Sequence, residues 1–132
     1  MVKKLAILAV FIFGSTIYAH EGHHDTPGTV AAPKGGVIKS LETVHLELLQ
    51  QGKLVKIYVY DKELKPVEAK NYPVSATATR PRKKAEKVEL KTNKNHWEYM
   101  YDAKGSHRYT LQFNIKQDGH NDKLKWNIEP KK

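Results

Sequence analysis

The sequence predicts an all-β chain: a single antiparallel β-sandwich of immunoglobulin-like size, with about seven strands, preceded by a flexible N-terminal arm. Three observations carry this. From Val37 onward apolar residues alternate with polar ones at period two, the pattern of half-buried strands. The alternating runs are short and evenly spaced, as in sandwiches. Between them stand "DKELKP", "TNKN", "AKGS" and "QDGHND", all rich in turn-forming residues. The stretch "KKAEKVELK" has helical propensity but lacks an apolar face.

The chain opens on "MVKKLAILAVFIFGSTIYA". Lys3 and Lys4 precede nine apolar residues, Leu5 to Phe13, and the stretch ends on the small residue Ala19. This is the plan of a secretory signal. As a helix the apolar run would rise only about 14 Å, against roughly 30 Å of bilayer core. The expectation is therefore a signal peptide over residues 1–19, cut after Ala19, with His20 as the new terminus. The product is expected to be periplasmic or secreted, with no transmembrane anchor after cleavage.

Residues 20–36, "HEGHHDTPGTVAAPKGG", have a linker composition with almost nothing large and apolar to pack. The sandwich domain is assigned to residues 37–132. In "ETVHLELLQ", Val44, Leu46 and Leu48 form one face, with His45, Glu47 and Leu49 opposite. After the turn "QQGK", Val55, Ile57 and Val59 oppose Lys56, Tyr58 and Tyr60, so the two runs read as a hairpin. Val74, Ala76 and Ala78 come next, then Val88 and Leu90 in "KVELK", and then Trp97, Tyr99 and Tyr101. Two further runs carry Tyr109, Leu111, Phe113 and Ile115, and Leu124, Trp126 and Ile128. On this reading Trp97 and Trp126 are both buried.

Composition narrows the function. There is no cysteine, which excludes disulfides, thiolate metal sites and a cysteine nucleophile. Ser40, Ser75 and Ser106 lie in no nucleophile motif, and the sequence holds neither a phosphate-cradling glycine loop nor "HExxH", so no enzyme is expected. The formal charge of +9 stays strongly positive once Lys3 and Lys4 are removed. For an exported chain this points to an anionic envelope surface or an acidic envelope or efflux-system protein, and away from nucleic acid. Arg80, Arg82, Lys83, Lys84 and Lys87 form the main basic run and read as an exposed loop and strand edge.

The densest chemistry is in "HEGHHD". His20, His23 and His24 place three imidazoles within five residues. Imidazole suits copper and zinc, and a short flexible segment closes a chelate without a fold. With His20 at the terminus, its α-amine adds a further nitrogen, titrating near 8 while the rings titrate near 6.5. The bland reading is a polar tail that only aids solubility. Weaker candidates are His45 and Glu47, expected on a surface strand face, and His120 within the "DGHND" turn. His96 and Met100 share a face but stand about 13 Å apart along a strand, too far for one ion.

The run "APKGGVIKSLETVHLELLQQGKLVKIYVYDKELKPV", residues 32–67, resembles small bacterial periplasmic β-sandwich modules with a "PHGG" opening, a strand like "HLELV" and another like "VYVLD". Such modules are similar to domains found with heavy-metal efflux membrane-fusion proteins and copper handling. Gly35, Gly36, His45, Glu47, Tyr58, Asp61 and Pro66 match the pattern, whereas Lys34 stands where the family often has histidine. The resemblance implies a β-sandwich and bears on the fold more than on the site; together with the histidine cluster, the function expected is binding or buffering of a transition metal, copper first. If the missing histidine serves metal binding in relatives, this chain has lost that ligand or has moved the job to His20, His23 and His24. The alternative is a non-metal module that docks an envelope partner through its basic face.

Overall fold

The period-two runs become strands. A computed structural model describes residues 30–130, so the leader and the arm histidines His20, His23 and His24 lie outside the described residues. In chain order the strands are β1 (Val37–Ser40), β2 (His45–Gln51), β3 (Leu54–Tyr60), β4 (Val74–Thr79), β5 (Glu86–Val88), β6 (Lys91–Thr92), β7 (His96–Met100), β8 (Tyr109–Gln117) and β9 (His120–Ile128). They form two antiparallel sheets, β1-β2-β3-β7-β6 and β5-β4-β8-β9. Two hairpins close as the turn residues predict, with Gln51 paired to Leu54 and Gln117 to His120. Among the described residues no helix is long and apolar enough to cross a membrane.

The core lies between the inward faces. Leu46, Val55, Ile57, Val59 and Trp97 come from the first sheet and Ala78, Leu111, Phe113 and Ile115 from the second, all at most 1% exposed. Small residues stand beside large ones in the register, Ala76 against Phe113 and Ala78 against Leu111, which lets the opposite layer interdigitate. Trp97 packs on Phe113 at 5.4 Å between centroids, and Phe113 meets Trp126 edge-on at 6.2 Å. Both tryptophans are buried, as the alternation requires.

Two features differ from the sequence reading. Nine strands are present among the described residues rather than about seven. Val37–Ser40 adds β1 to β2, and "KVELK" divides between the sheets: Glu86–Val88 pairs with β4, and Lys91–Thr92 pairs with β7. Glu89 and Leu90 carry the chain from one sheet to the other, and Leu90 packs against the core there. The second difference concerns faces. The outer face of the second sheet is polar, as alternation predicts, but one end of the outer face of the first sheet is covered. There His45, Glu47, Tyr58 and Tyr60 are all buried.

Candidate functional site

The covered patch follows from strand register. Ser40, His45 and Tyr60 lie in one row across β1, β2 and β3, and Ile38, Glu47, Tyr58 and His96 in the next, extending to β7. Paired residues of antiparallel strands share a face, so these side chains project together, away from the core. Residues 33–36 cross over them, and the carboxylate of Glu47 holds that crossing. It accepts the Lys34 backbone N–H at 3.0 Å, the Gly36 N–H at 2.7 Å and the Tyr60 hydroxyl at 2.8 Å. With no exposed surface, Glu47 is a buried charge satisfied by three donors, the condition under which such burial is tolerated. Burial and the neighbouring carboxylate push the Tyr60 phenol well above its ordinary range, so it remains a donor.

The two glycines of "KGG" serve this contact differently. Gly35 takes a left-handed φ of 75°, which turns both flanking N–H groups toward one acceptor. At Gly36 the constraint is space: a Cβ would stand 2.3 Å from the Leu48 carbonyl oxygen. Residues 33–36, assigned from composition to the free arm, are thus fastened to β2 by backbone hydrogen bonds that composition does not reveal.

His45 is not the surface residue the alternation suggests. It is 3% exposed, with Nδ1 at 2.7 Å from the Ser40 hydroxyl. Glu47 is likewise interior, so neither is free to take a metal from solvent. His120 is exposed in the β8–β9 turn, and the Asp122 carboxylate is engaged by the Gln117 amide at 2.7 Å. Among the described residues no group of three His, Cys, Asp or Glu is placed to hold a metal ion.

A pair that sequence reasoning passed over is His96 and Glu98, on the outward side of β7. His96 Nε2 lies 3.8 Å from Glu98 Oε2. Each is oriented by an asparagine: His96 Nδ1 meets Asn95 Oδ1 at 3.1 Å, and the Asn93 amide donates to Glu98 Oε1 at 2.9 Å. With its proton on Nδ1, the ring presents the Nε2 lone pair beside the carboxylate, in the manner of a ligand set by its outer partners. The ring packs against Tyr58 at 4.8 Å between centroids, tilted by 36°, and Lys34 Nζ lies over the Tyr58 ring, 4.7 Å from its centroid. The signal was legible as His-x-Glu at strand spacing, but "WEY" read first as core rhythm.

Of the basic run, Arg80 donates to Glu86 at 2.7 Å with only 14% of its side chain exposed, so its charge is neutralised internally. The residues that carry the resemblance gather in one place: Gly35, Gly36, His45, Glu47 and Tyr58 all belong to the covered patch. Asp61 nearby accepts the backbone N–H groups of Glu63 and Lys65, shaping the loop that brings Pro66 to bridge Tyr60. No protein-family model, curated protein or solved structure matches the chain.

The histidines give the fold a pH dependence. Burial, with Lys62 nearby, lowers the His45 pKa below its ordinary 6.5, opposed by a backbone hydrogen bond at Lys62 and by Asp61. Burial also lowers that of His96, with Lys56 and Lys34 adding to it and Glu98 opposing. The unfolded chain therefore binds more protons just below pH 6.5, so stability is full above that value and falls as pH drops through the folded-state pKa values. Thermal melts from pH 7.5 to 5 are expected to show a declining midpoint, with a shallower slope in His45→Gln. An equal slope in the variant would assign the effect to other groups.

Proposed function

We propose that this protein binds or buffers a transition metal in the cell envelope, copper first and zinc second. The observation that supports this best joins sequence to fold. Three histidines within five residues stand on a segment whose far end, Lys34–Gly36, is tied down beside the oriented His96–Glu98 pair. From His24 to Lys34 the contour is at most roughly 35 Å, long enough to bring an arm imidazole to β7.

On this reading the arm supplies the nitrogen ligands and the body offers His96 Nε2 with the Glu98 carboxylate. Burial, with Lys56 and Lys34 adding to it, lowers the His96 pKa and so favours the neutral ring with its lone pair available. The same two ammonium groups repel a dication, and Glu98 is the charge that offsets them. A short histidine-bearing segment joined to a folded domain would, on this reading, capture ions in the envelope without a folding step. In the alternative, docking through the charged run at Arg80 to Lys87, Arg80 would contribute little because it is already paired with Glu86.

Calorimetric titration of the mature protein with Cu(II) and with Zn(II) tests this. The triple variant His20→Ala, His23→Ala, His24→Ala is expected to lose most of the affinity and keep its unfolding midpoint. His96→Ala should weaken binding by about tenfold, on the scale of a supporting contact. Affinity should fall steeply as pH drops through the imidazole range, because binding releases protons. Undiminished affinity in the triple variant, or none in the wild type, overturns the reading.

A further inference from the structure

The outer face of the second sheet has a property that the metal reading does not use. Along β4, β8 and β9 every outward side chain is Ser, Thr, Asn, Gln or Lys, and the outward residue of β5 is Lys87. Lys116, Lys123 and Lys125 complete a field of four ammonium groups with no carboxylate among them. The acidic residues of these strands, Glu86 and Asp122, share the inward register with Ala78 and Ile115 and are held there by Arg80 and Gln117. Charge is therefore sorted by sheet face, while the outer face of the first sheet mixes Glu98 with Lys56 and Lys91.

Within this field lies an open hollow of about 290 Å³, bordered by Ser75, Asn114, Lys116, Asn121 and Lys123, with Pro73 and Val74 also lining it. The Asn114 amide donates to Ser75 Oγ at 3.2 Å, and its Oδ1, shielded from solvent, has no hydrogen-bond partner. A ligand hydroxyl that displaces the covering side chains would satisfy that acceptor. The hollow thus combines two ammonium groups with amide and hydroxyl groups at close spacing. It carries no aromatic side chain to stack on a neutral sugar, and its apolar residues are Pro73 and Val74.

We propose that this face binds an acidic polysaccharide, a chain bearing carboxylates or phosphates together with free hydroxyls. The charge complementarity calls for a polyanion. The neutral hydrogen-bonding groups between the lysines favour a polyhydroxylated chain over a lipid surface, which would need the lysines alone. This site is independent of the arm histidines.

Polygalacturonate is a suitable probe, with dextran as neutral control and phosphatidylglycerol vesicles as the lipid control. Saturable binding to polygalacturonate, absent for dextran and suppressed by 0.5 M salt, is expected, with amide shifts centred on Asn114, Lys116 and Lys123 in labelled protein. The double variant Lys116→Glu, Lys123→Glu should weaken it by at least about tenfold, and Asn114→Ala by about threefold. These side chains lie on the surface or at its edge, and unchanged melts would confirm intact folding. Tighter binding to the vesicles would place a lipid surface here instead and overturn the proposal. So would undiminished binding in the double variant, or an Asn114→Ala variant that binds as the wild type does.

Discussion

Replacing Glu47 by alanine is expected to lower the free energy of unfolding by about 4 kcal/mol, the range found when one member of a buried charged network is removed. The substitution strands the N–H groups of Lys34 and Gly36 and the Tyr60 hydroxyl beneath the 33–36 crossing. Each is a hydrogen bond to a charged acceptor, worth roughly 1.5–3 kcal/mol. Urea melts read the loss as a lower midpoint. Amide exchange at Lys34 and Gly36 should also accelerate well beyond that of the β8–β9 ladder, because the crossing loses its anchor before the sandwich opens. Tyr60→Phe, which leaves both backbone donors in place, should cost only about 2 kcal/mol. Gly36→Ala should fall between these two, since its Cβ must displace the Leu48 carbonyl. A Glu47→Ala variant within 1 kcal/mol of wild type would mean that the crossing is held by something else.

The second large effect is expected at Trp97. The ring is fully buried in β7 and bridges the two sheets through Phe113. Trp97→Ala removes that bridge and leaves a cavity, with an expected loss of about 4 kcal/mol. Trp126 lies on edge strand β9, with Lys39 Nζ 5.8 Å from its ring centroid, and its surroundings can relax more readily. Trp126→Ala should therefore cost less, about 3 kcal/mol. Emission from each single-tryptophan variant should be blue-shifted and poorly quenched by iodide. A red-shifted signal from Trp97 would contradict the sheet faces described above.

Much of this architecture is legible in the chain. The period-two alternation of Val44, Leu46 and Leu48, of Val55, Ile57 and Val59, and of Leu111, Phe113 and Ile115 assigns both inner faces, because a strand presents alternate residues to one side. The turn residues between the runs place both hairpins. Less was legible where one residue serves two neighbours: "KVELK" reads as one strand, yet its ends pair in different sheets, and local sequence does not encode which partner each half meets.

The candidate site divides in the same way. The arm histidines are visible as a cluster because the motif is local in sequence, and so is the excess of positive charge. The sequence by itself also determined that the core is built from alternating apolar residues without disulfide support. Only the tertiary structure decided that Glu47 and His45 are interior, that Lys34 and Gly36 donate to a carboxylate more than ten residues away, and that His96 and Glu98 stand together near the point where the arm joins the domain. It also sorted the lysines of β5, β8 and β9 onto one face free of carboxylates. The physical reason is that alternation specifies which side of a strand a residue takes, whereas what covers that side depends on a separate segment, fastened here by backbone groups that carry no signature in the sequence.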